Sequence, residues 1–250
     1  MLGSHLERLR KAEIEIIKPA LRPGMKVLEL GGGNGYQAYL MSLFGCEVTS
    51  IDLATRQSSR KTYYAVQEYD GERIPFLDKS FDVVFSSSVL EHVRDLPTML
   101  SEIQRVLKPS GLAVHVLPNC SWRFWTSIAH YLFVFKYVFE NLQGEDELGM
   151  SSLKEKEKSK GKMHLVKRAI FPGPHGIYSN AFSELYHFSK RRWATIFKKN
   201  GFDILKIMGN KLFYTGYGLF PRISLRSRQR IANFLGSSCY IYIMRCEYTK

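Results

Sequence analysis

Short apolar runs alternate with amphipathic stretches along most of the chain. Near the N-terminus, apolar residues recur at the spacing of a helix, at Leu6, Leu9, Ile16, Ile17 and Ala20. Seven runs of strand length follow, near 26–31, 46–52, 63–69, 81–86, 111–118, 202–208 and 239–246. Because helical segments separate the first five, the pattern predicts βαβ units and a mostly parallel sheet. The chain of 250 residues is expected to form one α/β domain.

Residues 119–188 interrupt this alternation. They far exceed the ~2 to 6 residues of an ordinary connection between strand and helix, so we expect an insertion that forms a lid. The insertion starts with an aromatic helix, Trp122 to Phe139, whose uncharged part is too short to span a bilayer. This helix can lie in a membrane interface, roof an apolar pocket or pack on the domain's own core. Residues 151–162, rich in lysine and glutamate, are predicted to be disordered.

A second interruption, residues 209–238, combines aromatic residues with a basic helix predicted from Ser224 to Leu235, in which Arg226, Arg228 and Arg230 alternate. Aromatic rings beside arginines suit an amphiphilic acceptor with a greasy tail and anionic phosphates. The alternative is that the arginines only keep a surface helix soluble.

The net charge of +13 is unevenly distributed. Residues 151–250 carry 20 basic and 5 acidic side chains, whereas residues 1–150 are almost neutral. This asymmetry favours an anionic partner, and nucleic acid is not excluded; the other interpretation is a set of solvated lysines. The four cysteines lack metal-ligand spacing, and the first 20 residues lack the apolar core of a signal peptide. We therefore expect a cytoplasmic protein, with peripheral membrane contact as a further option, and no structural zinc.

The clearest chemical signal is the run from Val27 to Gly35, in which an apolar strand ends in Glu29 and enters a loop containing Gly31, Gly33 and Gly35. Glycines there let the backbone turn sharply beneath a ligand. The spacing does not fit the Gly-x-Gly-x-x-Gly dinucleotide fingerprint, which argues against a dehydrogenase. A second strand ends in Asp52, where a carboxylate suits ribose hydroxyls, although it could merely cap the next helix.

Three further segments make a family recognisable: 70–78, 81–93 and 107–111. Together with the glycine loop they resemble the class I S-adenosylmethionine-dependent methyltransferases, in the branch that includes ubiquinone and menaquinone methyltransferases. The resemblance spans residues 26–118 and a C-terminal region from Phe188 to Ile207. It implies a Rossmann-like, doubly wound sheet of seven strands with helices on both faces, and S-adenosylmethionine as cofactor.

The resemblance also implies roles for individual residues. Glu29 and the glycines at 31, 33 and 35 would hold the methionine part, and Asp52 with Leu53 would lie at the ribose. Asp70 falls where the family binds the adenine amino group. Ser86 and Ser87 would offer backbone carbonyls to the methionine ammonium.

Candidates for catalysis are fewer and less distinctive. His92 lies in a Leu-Glu-His sequence expected to begin a helix, where it could act as a base or shape the cofactor pocket. His175 and Tyr178 lie in a turn-rich segment suited to a lid. Some relatives place a metal on a Glu-x-x-Glu-His pattern here; because Ser88 stands at its first position, we expect no metal.

The sequence therefore predicts methyl transfer to a small-molecule, glycan-linked or lipid-linked acceptor, at oxygen. Two alternatives stay open: an RNA methyltransferase that uses the basic C-terminal part, and a non-catalytic module that binds S-adenosylmethionine. The acceptor itself and the oligomeric state cannot be read from the sequence.

Overall fold

A single seven-stranded sheet forms the centre of the protein. The computed structural model describes residues 2–54, 61–142, 173, 175–178, 180–215 and 223–247. The strands are β1 (Lys26–Leu30), β2 (Glu47–Leu53), β3 (Val66–Tyr69), β4 (Phe81–Ser87), β5 (Leu107–Pro118), β6 (Phe202–Gly209) and β7 (Cys239–Cys246). Their order is β3-β2-β1-β4-β5-β7-β6, and β7 runs antiparallel to both of its neighbours. The predicted strand number and mostly parallel sheet are confirmed.

Among the described residues, one helix precedes the first strand and the others lie between strands along the chain. They are α1 (Leu2–Ile17), α2 (Tyr36–Leu43), α3 (Leu96–Val106), α4 (Cys120–Leu142), α5 (Ala181–His187), α6 (Lys190–Lys199) and α7 (Leu225–Leu235). Short 3-10 turns occupy Lys18–Ala20 and Leu90–His92. The expectation that the Leu-Glu-His sequence begins a helix is wrong: it forms one tight turn, and α3 starts four residues later with Asp95 as its N-cap.

Apolar side chains alternate across the strands and produce one core on each face of the sheet. Leu28, Leu30 and Val84 point to one face, against residues of α3 and α6. Val27, Val83 and Phe85 point to the other, against α1 and α2. Strands buried on both faces need continuous apolar sequence, and β1 and β4 have it.

β1 and β4 are neighbours in the sheet, and the chain continues from them in opposite directions: from β1 to β2 on one side and from β4 to β5 on the other. In doubly wound sheets this reversal opens a crevice at the carboxyl ends of the strands, where ligands bind. The residues predicted for the cofactor lie in the last two residues of β1, β2 and β4 or just after β1 and β3, at that edge. The fold therefore collects them from four separate places in the sequence.

The start and end of the insertion after β5 are described, and most of its interior is not. The predicted aromatic helix is confirmed as α4, which begins two residues after β5 ends. A buried ion pair joins it to α5, with Arg123 Nε 3.0 Å from Glu184 Oε2. The segment 151–162, predicted to be disordered, lies outside the described residues.

Candidate functional site

The loop after β1 consists largely of glycines. At Gly31 the surrounding protein leaves no room for a side chain, whereas at Gly33 the space is open. A Cβ at Gly31 would lie 2.3 Å from Val89 Cγ2, in the turn after β4. Gly33 differs, because a Cβ there would have no atom within 4 Å, and its φ of +57° disfavours other residues. The loop thus presents bare backbone to an open space, as a closely approaching ligand requires.

Glu29 lies at the base of this loop and is almost completely buried. Ser50 Oγ donates to its Oε2 at 2.6 Å. Burial raises the pKa of Glu29 to about 7, against the hydrogen bond from Ser50 and the field of Arg10. A buried carboxylate with a raised pKa has a strong affinity for a cation, and the methionine ammonium is one.

Asp52 connects the first two strand ends. Its Oδ2 accepts from the Gly33 amide at 2.8 Å, and its Oδ1 accepts from the Leu53 amide at 2.7 Å. Each carboxylate oxygen keeps a second lone pair with which it can accept from a ribose hydroxyl. The Asp52 carboxylate orders the glycine loop, and this is compatible with the ribose role.

Leu53 and Asp70 lie at the neighbouring ends of β2 and β3. Leu53 is in register with Tyr69, and a Cβ at Gly71 would meet its Cδ2 at 2.6 Å. Asp70 is exposed, and its Oδ1 accepts from the amides of Glu72 and Arg73, which lowers its pKa. The carboxylate is thereby held ionised at the edge where an exocyclic amine would bind.

Ser86 and Ser87 end β4 with buried side chains that point in opposite directions. Ser86 Oγ lies 2.8 Å from Nδ1 of the buried His115. Ser87 Oγ donates to Glu13 of α1 at 3.3 Å and accepts from Arg10. The two side chains are used inside the protein, so only the backbone of these residues remains for a ligand, as the sequence predicts.

Arg10 is a site residue that the sequence analysis missed. It pairs with Glu13 at 3.0 Å, reaches Ser87, and acts on the charge of Glu29. Glu13 also accepts from Asn210, which follows β6. The available signal was polar residues on the buried side of an amphipathic helix, beside Leu9 and Ile14. Helix α1 therefore covers the cofactor edge and brings a cation to it.

Taken together, these groups fit S-adenosylmethionine by chemical type. Glu29 offers negative charge to an ammonium, Asp52 offers acceptors to hydroxyls, and Gly33 leaves space for a close approach. A polar ligand group left unpaired on burial costs about 1 to 3 kcal/mol, so such one-to-one matching decides which ligand binds.

A second cluster of polar side chains forms beside this loop. Nε2 of His92 and Nε2 of His175 each lie 3.9 Å from Oε1 of the buried Glu91. The two imidazole rings are 5.2 Å apart between centroids, and Trp122 packs edge-on against His175 at 4.7 Å. Burial, with the nearby charges of His92 and Arg123, lowers the pKa of His175 to about 4. His175 is therefore a neutral proton acceptor at physiological pH.

The three side chains Glu91, His92 and His175 have ligand atoms within 4.8 Å of one another, a spacing that a metal ion could bridge. The expectation of no metal was based on Ser88 in the local sequence. The fold adds His175, which is distant in sequence, to Glu91 and His92. Ser88 itself has a φ of +57° and donates its amide to Val116. The absence of a metal stays a prediction.

The loop that carries His175 is held against the turn after β4. The carboxylate of Glu184 accepts from the amides of His175 and Gly176, at 2.6 and 2.7 Å. The Ile177 amide donates to the carbonyl of Glu91, and Arg123 Nη2 donates to the carbonyl of Gly173 at 2.8 Å. The Arg123–Glu184 ion pair thus fixes the loop that carries His175, and no local motif reveals this contact.

Tyr178 lies on the same loop but is occupied differently. Its ring stacks on His187 of α5, with centroids 3.9 Å apart, and packs edge-on against Phe188. Burial raises its pKa, so the phenol stays protonated. The structure brings His92 and His175 together and places Tyr178 beside them as an anchor of the loop.

Comparison with known proteins agrees with this geometry. The family described as "Methyltransferase domain" matches residues 28–115, which contain the glycine loop, Asp52, Asp70 and the turn after β4. Residues 28–115 are thus similar to a methyltransferase domain. The match ends within β5, so the insertion that starts at residue 119 and carries His175 has no counterpart in the family match.

Similar proteins are named for different methyl acceptors. A glycine/sarcosine/dimethylglycine N-methyltransferase of Actinopolyspora halophila is 32% identical over 115 residues, 42% of this chain and 20% of that protein. A malonyl-[acyl-carrier protein] O-methyltransferase of Serratia marcescens is 35% identical over 96 residues, 36% of this chain and 37% of that protein. The chain therefore spans well under two thirds of the length of these relatives.

A solved structure extends the similarity in fold to the C-terminal strands. It is described as a putative S-adenosylmethionine-dependent methyltransferase from Listeria monocytogenes. The TM-score is 0.53 at 15% identity, over 96% of this chain and 98% of that one. The shared fold therefore includes β6 and β7 as well as the segment that the family matches.

Proposed function

We propose that this protein transfers the methyl group of S-adenosylmethionine to a hydroxyl or carboxyl oxygen of a small-molecule acceptor, free or linked to a glycan or lipid. The observation that carries this proposal is the pair His92 and His175, held beside the cofactor loop by Glu91 and the lid. An oxygen acceptor is a weak nucleophile until its proton is removed, and this pair is placed to remove it.

The chain contributes orientation first. S-adenosylmethionine, when bound, supplies an electrophilic methyl carbon on a sulfonium. Glu29 would hold the methionine part of the cofactor and Asp52 the ribose, while the His175 loop with Trp122 would cover the acceptor side. Holding acceptor and methyl carbon in line is worth about 7 to 11 kcal/mol of the barrier.

The proton is the second contribution. As the acceptor oxygen forms its bond to the methyl carbon, its proton moves to an imidazole nitrogen of the His92–His175 pair, in which His175 is neutral at physiological pH because burial lowers its pKa to about 4. The electrons of the broken carbon–sulfur bond stay on sulfur. Tyr178, stacked on His187, anchors the loop that carries His175. Arg123 and Glu184 are positioning residues in this scheme.

The similar proteins support the coarser part of this proposal and leave the acceptor open. Those described above are named for a nitrogen and for an oxygen acceptor. The ubiquinone/menaquinone branch is supported by a demethylmenaquinone methyltransferase of Chlorobaculum parvum, 33% identical over 124 residues, 48% of this chain and 51% of that protein.

Methyl-labelled S-adenosylmethionine and panels of lipid, glycan, carboxylic acid and RNA acceptors test the proposal. We expect label in an ether or ester, and His92→Asn and His175→Asn to lower kcat while cofactor affinity is kept. His130→Gln, in α4, is the matched control. Label in RNA alone, transfer to nitrogen, or cofactor binding without transfer to any panel would each overturn the proposal.

A further inference from the structure

The aromatic helix α4 presents an apolar stripe to the outside of the protein. Phe124, Ile128, Tyr131 and Leu132 recur at i, i+4, i+7 and i+8, and all four are exposed by between 36 and 53%. The side that carries Arg123, by contrast, packs against α5. An amphipathic helix normally turns its apolar stripe towards the core of the protein, whereas α4 turns this stripe towards solvent.

Helix α7 presents a complementary face at the end of this stripe. Arg226, Arg230 and Phe234 recur at i, i+4 and i+8 and are exposed, Phe234 by 89%. The opposite side of α7 is anchored by Arg228, whose Nη1 donates to the carbonyls of Phe213 and Thr215. The orientation of the two outer arginines is therefore fixed by a buried one.

The two helices meet at Leu235, the residue after Phe234. Ser121 Oγ and Trp125 Nε1, both of α4, donate to the Leu235 carbonyl at 2.7 and 3.0 Å. Phe124 packs edge-on against Trp125, with centroids 5.1 Å apart. Phe234 is thus next to the start of the α4 stripe. We call the combined patch the α4–α7 surface: Phe124, Ile128, Tyr131, Leu132, Arg226, Arg230 and Phe234.

This surface lies at the same edge of the sheet as the cofactor loop. Helix α4 leaves the carboxyl end of β5, and α7 ends just before β7 begins. Because β7 is antiparallel to β5 and Pro118 is in register with Cys239, both helix ends meet at the carboxyl edge. A molecule bound to this surface would therefore lie near the acceptor side of the site.

We propose that the α4–α7 surface binds an anionic membrane surface. A single exposed helix stripe has no groove to hold a peptide, whereas aromatic and aliphatic side chains on one helix face insert into the interface between headgroups and acyl chains. Arg226 and Arg230 carry the fork-shaped donor that suits lipid phosphates. This goes beyond the catalytic proposal and does not depend on it, since membrane binding requires no cofactor.

The test is sedimentation of the whole protein with vesicles of phosphatidylcholine alone or mixed with phosphatidylglycerol, without S-adenosylmethionine. We expect binding to the mixed vesicles, weakened by salt, and a blue shift of tryptophan fluorescence from Trp125. Each arginine near an anionic surface is worth about fivefold in partitioning, so R226Q/R230Q is expected to weaken binding on the order of 10-fold or more. F124S/L132S/F234S is expected to abolish the fluorescence shift.

Controls lie at the opposite edge of the sheet. Leu77→Ser removes an exposed leucine, and R22Q/K79Q removes two exposed cations with the same change in net charge. Both are expected to bind as the unaltered protein does. The proposal is wrong if the unaltered protein does not bind the mixed vesicles, or if the control variants lose as much binding as R226Q/R230Q does. It is also wrong if F124S/L132S/F234S instead converts an oligomer to a monomer.

Discussion

Glu29 offers a direct test of how the cofactor site is built, because its function conflicts with stability. The carboxylate is almost completely buried, and burial raises its pKa to about 7, from about 4.5 in an exposed glutamate. We consider Glu29→Gln, which keeps the size of the side chain and leaves an oxygen to accept from Ser50. The variant removes only the charge that the site holds at high pH.

The sign and size of the effect follow from proton linkage. Between pH 4.5 and 7 the folded protein keeps a proton on Glu29 that the unfolded chain has lost, so this group lowers the unfolding free energy as pH rises. The loss is complete above pH 7 and amounts to about 3 kcal/mol. Glu29→Gln is therefore expected to match the unaltered protein at pH 4.5 and to exceed it in stability at pH 8.

Urea unfolding of the cofactor-free protein at several pH values measures this difference. Calorimetric titration with S-adenosylhomocysteine at pH 8 is the second assay, and there the variant is expected to bind at least tenfold more weakly. Glu47→Gln, at the exposed start of β2, is the control for loss of one acid. Equal stability of variant and unaltered protein at pH 8, or unchanged binding, would refute the role of Glu29 as a buried charge awaiting the ammonium.

Three further predictions follow from other contacts. Asp52→Asn is expected to weaken S-adenosylhomocysteine binding about tenfold or more by calorimetry, because the Gly33 amide and the ribose lose a charged acceptor, whereas Asp203→Asn on β6 should have no effect. Arg123→Met leaves the Glu184 carboxylate buried without its cation, and the free energy of unfolding in urea is expected to fall by about 3 to 5 kcal/mol. The double variant R123M/E184M should recover stability. It should not recover activity, because the His175 amide then loses its carboxylate acceptor. His115 is buried with its pKa lowered to about 3, so it takes up a proton only on unfolding, and stability falls as pH drops below 6.5. His115→Gln should lessen that slope, between pH 6 and 4, by about 1.4 kcal/mol per pH unit; an unchanged slope would mean that the imidazole is already charged in the fold.

Much of the cofactor side could be predicted from the sequence because it is encoded locally. Each ligand group lies at the end of a strand or in the loop that follows it, and the continuous apolar runs of β1 and β4 indicate a sheet buried on both faces. The glycine loop, Asp52 and Asp70 were therefore found as strand ends before their contacts were known. Even the buried side chains of Ser86 and Ser87 agree with a role for their backbone alone.

The acceptor side was decided only by tertiary structure. His92 and His175 are separated by more than 80 residues, and the chain brings them together through the buried pair Arg123–Glu184, which no periodicity predicts. Arg10 reaches β4 because α1 packs across it, and the outward orientation of Phe124 follows from which side of α4 meets α5. Local patterns specify strands and the groups at their ends, whereas the pairing of distant side chains depends on packing that only the folded chain provides.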